Sequence, residues 1–449
     1  MRTASISFNY VLSHKMRFEG KHYLNDNALS CMSIEKNASK CFCLDDIADV
    51  FNPPVFKRQF CKQSGNSVMY FQSSDVSTAS ETSPVFINKK QVESLNLLVR
   101  KNDILITGFG TIGNVRLVSR LQDGVCYANN VCRVRIKDGV YLGYIYAFLS
   151  SKYAYAQLNN NASGSVVRYI EAPGVKKTLV PSFPESFQKE VDDLIQESAR
   201  LREEAAEALE EAHGFIESNF IFANKKLISS VSIKSVLLSH NKRFEATYHT
   251  SENRSIYEYI ISNCKYIRLG DLCDRIFRPG IFKREYVSKG VTFLGGADIL
   301  MAIPDSDKRL SFRQVEKMPE LKVKKNWILV TCGGTIGNTV IIDKQLEQCV
   351  ISQHVMRIVP KEDILKGYLF AVLSSKIGNN LISLFTTGSV IPQIEAHHLE
   401  LVPIPLFNKD IMERIDNKVS SYISKIEVAK ENERKAIRMV EEEIEKWNK

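Results

Sequence analysis

The chain is written twice, and that constrains its fold more than any single motif does. Ser13-His14-x-x-Arg17-Phe18-Glu19 returns as Ser239-His240-x-x-Arg243-Phe244-Glu245, and Phe51-x-Pro53-x-x-Phe56-Lys57-Arg58 returns as Phe277-x-Pro279-x-x-Phe282-Lys283-Arg284. Lys101-Asn102-Asp103-Ile104-Leu105-Ile106-Thr107 matches Lys325-Asn326-Trp327-Ile328-Leu329-Val330-Thr331, and Gly110-Thr111-Ile112-Gly113-Asn114 matches Gly334-Thr335-Ile336-Gly337-Asn338. Leu149-Ser150-Ser151-Lys152, Gly164-Ser165-Val166 and Ile170-Glu171-Ala172 recur as Leu373-Ser374-Ser375-Lys376, Gly388-Ser389-Val390 and Ile394-Glu395-Ala396. The offset stays near 225 throughout. A register held this long means one unit duplicated in tandem.

Between these anchors the copies diverge. Residues 60–90 and 286–318 have little in common, and the first stretch is rich in Ser, Thr and Gln. One framework with dissimilar inserts presents two different surfaces, and solvent-facing loops are where such differences are expected. Short β-rich runs at 99–107, 115–119 and 131–136, with counterparts at 327–331, 339–342 and 355–359, predict strands. Residues 143–157 and 367–381 predict one helix in each copy.

Each copy closes with a long helical stripe. Phe187, Val191, Leu194, Ile195, Leu201, Ala205, Leu209 and Ile216 recur at helical spacing, as do Ile411, Ile415, Val419, Tyr422, Ile426, Ala429, Ala436, Val440, Ile444 and Trp447. Steps of three and four over this length suit a coiled-coil seam. A helix of roughly 38 residues is about 57 Å long, too long to bury against one small domain. Each rod has an obvious partner in the other. The predicted division is therefore 1–184, a first mixed α/β domain; 185–222, a long helix; 223–407, a second, homologous domain; and 408–449, another long helix. The fold class is α+β, with the helices forming an antiparallel coiled coil under pseudo-twofold symmetry.

Charge follows the same division. Residues 1–184 carry 22 Lys and Arg against 13 Asp and Glu, a net +9, and 223–407 carry 25 against 17, a net +8. The helical stretches 185–222 and 408–449 are −8 and 0. Two basic domains with a neutral-to-acidic spacer predict two contacts with a polyanion. The 44% hydrophobic and 25% charged content excludes a disordered chain, and no apolar run approaches a membrane span. Residues 1–23 lack the apolar core of a signal peptide, and ten cysteines without CxxC pairs predict reduced thiols in the cytoplasm rather than disulfides or structural zinc.

Catalytic constellations are not found. Gly108-Phe109-Gly110-Thr111-Ile112-Gly113 satisfies G-x-G-x-x-G, but an alternating strand pattern follows where a dinucleotide site needs a helix. A turn between two strands is the better reading, with Asn114 and Asn338 suited to it. Asn52-Pro53-Pro54-Val55 approaches the Asn-Pro-Pro-aromatic motif of amino-methyltransferases, but the second copy reads Arg278-Pro279-Gly280-Ile281, which favours a stiffened turn. No nuclease metal cluster, G-x-S-x-G or P-loop stands out. His397-His398 has no metal spacing and reads as surface histidines.

Two basic units, each with a Lys-Asn-x-Ile-Leu-x-Thr-x-x-Gly-Thr-Ile-Gly-Asn segment (101–114 and 325–338) and each followed by a long helix, resemble the specificity subunit of type I restriction–modification systems. Residues 164–170 and 388–394, with Leu179-Val180-Pro181 and Leu401-Val402-Pro403, support the likeness, which spans essentially the whole chain. It implies a non-catalytic DNA-binding subunit for phage defence. Each domain would be a target recognition domain reading half of a split, asymmetric site in double-stranded DNA, and the helices would set the spacing. It further implies partners: two methyltransferase subunits, which hold S-adenosylmethionine, and two restriction subunits, which use ATP and Mg. No cofactor, metal or membrane contact is expected of this chain. Lys57, Arg58, Lys283 and Arg284 are candidates for phosphate positioning. Gln59, Gln63, Asn66, Gln72 and Arg278 are candidates for base edges. Arg168 and Gln393, taken as equivalent places in the Gly-Ser-Val loops, are further candidates. The rival readings are a self-contained DNA adenine methyltransferase and a coiled-coil adaptor that binds no DNA.

Overall fold

The computed structural model describes residues 8–13, 25–163, 168–220, 230–238, 242, 248–249, 252–387 and 393–448. The Ser-His-x-x-Arg-Phe-Glu repeat, apart from Ser13, and both Gly-Ser-Val triplets lie outside them. The chain divides into two compact units, Met1–Glu203 with Val428–Lys449, and Glu204–Glu427.

The first unit is built on a four-stranded antiparallel sheet in the order Ala48–Phe51, Val131–Ile136, Ile104–Thr107, Val115–Leu117. Ile104, Ile106, Cys132 and Val134 alternate onto one face, against Tyr144, Ile145 and Phe148 from Leu142–Leu149. Leu105 and Val131 face the other way, into a second core with Tyr70, Phe71 and Tyr127. Opposite faces of one sheet thus serve two cores, as a period of two requires. The second unit repeats the plan with Cys273–Phe277, Val355–Pro360, Ile328–Thr331 and Thr339–Ile341. The strands of the Lys-Asn repeat begin later than the β-rich run suggests, at Ile104 and Ile328. Asn102 and Asn326 precede them at φ 72° and 68°, the left-handed region that asparagine tolerates best after glycine.

The predicted helices at 143–157 and 367–381 are each two. Leu142–Leu149 and Lys152–Asn160 break at Ser150-Ser151, and Lys366–Ser374 and Lys376–Leu384 break at Ser375. The cause is capping: Ser151 Oγ accepts from Ala154 N, and Ser375 Oγ accepts from Gly378 N. The divergent inserts are not loops. Phe60–Cys61, Phe86–Asn88, Ser67–Phe71 and Cys126–Tyr127 form one sheet in that order, and Arg309–Leu310, Tyr286–Leu294 and Val350–Ile351 form another. In each unit a fully buried arginine pins this second layer to the central sheet. Arg133 donates to Leu97 O at 2.5 Å, and Arg357 donates to Ser352 O at 2.8 Å and Val355 O at 2.6 Å. Burial lowers the pKa of Arg133 and brings that of Arg357 down to about 10.

The long helices run Glu185–Glu217 and Lys409–Glu445. Within the first unit Phe183 meets Trp447 and Ser198 Oγ donates to Ala429 O at 2.8 Å. Within the second, Glu204 pairs with Lys425, Glu211 with Lys418, and Phe215 lies under Arg414. In both units the partners descend along one helix as they ascend along the other, so the segments run antiparallel. Each also caps a helix of its own unit: Asp192 Oδ1 accepts from Gly143 N at 2.5 Å, and Asp416 Oδ1 accepts from Gly367 N at 2.7 Å. A Cβ on Gly143 or Gly367 would lie 2.8 Å from that carboxylate oxygen, which explains glycine at both places.

Candidate nucleic-acid interface

The Lys-Arg pairs sit on a loop held at both ends. Upstream, Asn52 Oδ1 accepts from Ala172 N at 2.7 Å, Pro53 is buried, and Phe56 packs into the second-layer core. Downstream, Gln91 grips the chain twice: its Nε2 donates to Lys57 O at 2.7 Å and its Oε1 accepts from Gln59 N at 3.2 Å. The second unit does the same with different residues. Arg278 pairs with Glu395 at 2.6 Å, Pro279 is buried, and Phe282 packs beside Phe293. Gln314 Nε2 donates to Lys283 O at 2.7 Å, and its Oε1 accepts from Glu285 N at 3.0 Å. Gln91 and Gln314 lie on short helices, Lys89–Ser94 and Phe312–Lys317, capped by Asn88 and Ser311. The inserts therefore share a structural device, marked in sequence only by the short repeat Gln91-Val92-Glu93 and Gln314-Val315-Glu316.

Lys57, Arg58, Lys283 and Arg284 are exposed, and no carboxylate among the described residues pairs with them. Arg58 lies over the Tyr70 ring, 5.7 Å from its centroid, and its Nε donates to the Tyr70 hydroxyl at 2.6 Å. Burial raises the Tyr70 pKa against the opposing effect of Arg58, so the phenol stays protonated. Arg284 lies 5.5 Å from the Phe293 centroid and donates to Gln353 Oε1 at 3.3 Å. Tyr70 and Phe293 hold equivalent strand positions, pairing in parallel with Cys126 and Val350.

Arg58, Phe60, Tyr70, Gln72, Ser73 and Asn130 line an open depression of about 400 Å³. Ser73 Oγ donates to Asn130 Oδ1 at 2.6 Å, and Asn130 O accepts from Gly108 N at 3.1 Å. Gly108 O in turn accepts from Ile170 N at 2.8 Å, which brings the Gly108–Gly113 turn alongside. That turn joins two antiparallel strands, with Gly110 and Gly113 at φ 76° and 89°. These glycines, rather than Asn114, take the left-handed backbone; Asn114 N donates to Thr107 Oγ1. At the tip Phe109 stacks on Tyr169, centroids 5.4 Å apart and both partly exposed.

Of the sequence candidates, the structure brings Arg58 and Gln72 to this depression. Gln59 lends its backbone to the Gln91 clamp, and Gln63 and Asn66 lie on the exposed turn between Phe60–Cys61 and Ser67–Phe71, outside the depression. Arg278 is engaged with Glu395. Arg168 is exposed and donates to Asn159 O. It is not the counterpart of Gln393: the bridge between Ser163 and Tyr169 matches that between Thr387 and Gln393, so Gln393 stands where the first unit has Tyr169. Of the two histidines, His397 is exposed but His398 is buried, its Nδ1 accepting from Glu395 N at 3.2 Å as part of a helix cap. Sequence reasoning missed Asn130, Gln353, His354 and the two clamping glutamines. Asn130 and His354 were findable, since each directly precedes a repeated β-rich run, at Val131 and Val355; in the structure both accept from the residue opening the repeated turn, Gly108 and Cys332. Among the described residues no group of three His, Cys, Asp or Glu side chains could hold a metal ion, and no helix is long and apolar enough to cross a membrane.

Residues 261–438 match the family model for the type I restriction modification DNA specificity domain. No curated protein matches the chain. Among solved structures, the S subunit of a type I restriction–modification system from M. genitalium is similar at 14% identity, covering 91% of this chain and 95% of that one with a TM-score of 0.35. The HsdS subunit from Thermoanaerobacter tengcongensis is similar at 16% identity, with the same coverage and a TM-score of 0.29. The match covers the second copy, and the internal repeat carries its landmarks into the first. Residues 261–438 are thus similar to the type I restriction modification DNA specificity domain.

Proposed function

We propose that this chain is the DNA-reading specificity subunit of a type I restriction–modification complex, with each unit reading one half of a bipartite, asymmetric site. The observation that carries the reading is the clamped Lys-Arg loop, presented twice beside different polar groups. The common part offers two cations to phosphate, which positions a protein without specifying sequence. The differing part offers Gln72, Ser73 and Asn130 in one unit and Gln353, His354 and Gln393 in the other, groups able to bond base edges. Identical frames with different readers make the two half-sites unlike.

In this reading the long helices, paired antiparallel, fix the distance between half-sites. Two methyltransferase subunits carrying S-adenosylmethionine and two restriction subunits using ATP and Mg supply the chemistry, and the complex works in the cytoplasm. Gel-shift titrations of the purified chain, alone and with methyltransferase subunits, test this against its rivals. Expected is salt-sensitive binding of one duplex sequence, with methyl transfer only when the partners are present. Methyl transfer by the chain alone would make it a self-contained methyltransferase; no DNA binding in any assembly would make it an adaptor. The spacing role is tested by inserting one or two helical turns within 200–209 together with the matching part of the second helix. The gap in the methylated site should lengthen while both half-sites stay the same; altered half-sites with an unchanged gap would refute the spacer.

A further inference from the structure

The two most exposed large apolar side chains among the described residues are Ile281, 93% exposed, and Val55, 86% exposed; the next, Ile233, is 70% exposed. A single exposed aliphatic is ordinary on a protein surface. Here the two extremes hold the same place in the two copies, two residues before the Lys-Arg pair in Val55-Phe56-Lys57-Arg58 and Ile281-Phe282-Lys283-Arg284. The neighbouring aromatic in each case turns inward, Phe56 and Phe282 packing into second-layer cores. Val55 and Ile281 are thus held out on a loop anchored by a buried proline and that phenylalanine on either side, and by Gln91 or Gln314 beyond it. Both are β-branched and therefore stiff at χ1. A stiff apolar side chain on a braced loop loses little freedom on contact, which is what an interface residue requires.

The surroundings choose the occupant. Each wedge is followed by two cations without carboxylate partners among the described residues, which favours a polyanion over an apolar or acidic-poor protein surface. On the edge of a base pair, the apolar group that protrudes for an aliphatic side chain to read is the 5-methyl of thymine in the major groove; beside it stand hydrogen-bond donors and acceptors and the small C5–H edge of cytosine. We propose that Val55 and Ile281 each contact a thymine methyl group, one in each half-site, and so act as specificity-determining residues. This inference rests on the DNA-reading role proposed above.

The test uses the full chain with its methyltransferase partners and a duplex selected by the wild-type complex from a random pool. Deoxyuridine then replaces thymine at each position in turn, deleting only the methyl group. Expected is one position per half-site where deoxyuridine weakens wild-type binding roughly three- to ten-fold. Val55→Ala should abolish that sensitivity in one half-site and Ile281→Ala in the other, with the slope of affinity against salt unchanged, because no phosphate contact is lost. Both variants should melt as the wild type does, since the side chains are exposed. If both variants bind the selected duplex as tightly as wild type, or no deoxyuridine effect depends on Val55 or Ile281, the inference is overturned while the DNA reading stands. Loss of methyltransferase association at unchanged DNA affinity overturns it in favour of a protein contact. A wild-type complex that enriches no sequence overturns the DNA reading itself, and this inference with it.

Discussion

Arg58 and Arg284 hold equivalent places with different help. The first lies over a tyrosine and bonds its hydroxyl; the second lies over a phenylalanine, which has none, and reaches Gln353 instead. The ring keeps the guanidinium in place in both units, through its face and its bulk. The hydrogen bond is found wherever the local sequence supplies an acceptor. Duplication followed by divergence has kept the apolar and backbone contacts of the loop and altered its polar ones. The same contrast runs along the long helices. In the first unit Tyr146 donates to Glu433 at 2.6 Å, and Arg202 pairs with the same carboxylate at 2.7 Å. In the second, Phe370 stands in place of Tyr146 and stacks on Tyr422, while His213 bonds Ser374 at 2.9 Å. At this one place the first seam is charged and the second neutral, although Glu204–Lys425 and Glu211–Lys418 pair elsewhere along the second.

The seams give the largest expected effects. Glu433→Gln removes a directly paired counter-charge from the largely buried Arg202 and should cost the first unit about 3 kcal/mol, read as an earlier transition in urea unfolding followed by the environment of Trp447. Phe370→Leu in the second unit should cost less; an equal loss would mean that the charge is not what distinguishes the seams. The His213 pKa is pushed down to about 4 by burial. It stays neutral in the fold while the unfolded chain takes up a proton near the usual pKa of about 6.5. Its stabilising contribution is therefore complete above about pH 6.5 and is lost as pH falls towards 4. The loss is roughly 2–3 kcal/mol, confined to the second unit. His213→Leu should flatten that pH dependence.

Smaller effects test the loop. Gln91→Ala and Gln314→Ala each remove a double clamp and should cost about 1 kcal/mol while weakening DNA binding in the corresponding half-site only. Crossed effects, with Gln91 affecting the half-site of Gln314, would dissolve the assignment of one half-site to each unit. The smallest change belongs to Lys57→Ala and Lys283→Ala. Each should reduce the slope of log affinity against log salt by about 1 with no change in the bases selected. Unequal slopes would show that the two frames meet the backbone differently.

Much of this plan is legible in the residues. The repeat of Ile104-Leu105-Ile106-Thr107 and Ile328-Leu329-Val330-Thr331 locates the central strands, and the stripes from Phe187 and Ile411 locate the long helices. Charge and order point to the Lys-Arg loop. The clamp is less legible: Gln91-Val92-Glu93 recurs as Gln314-Val315-Glu316, each after a basic residue, but nothing in that triplet says that its glutamine reaches back to the Lys-Arg loop. The break at Ser150-Ser151 was mistaken for helix interior, since apolar periodicity runs through a serine cap without a change of phase. His398 looked like a surface residue because its burial comes from a cap with Glu395, a local bond that no periodicity reports.

The first unit owes part of its core to residues far along the chain: Ala436, Val440 and Ile444 pack with Val191 and Ile195. The second unit is continuous, from Glu204 to Glu427. On the ribosome, then, the later half can finish folding while the earlier half still waits for the segment 428–449 to emerge. A stop codon near 430 should spoil the unit made first and spare the one made last.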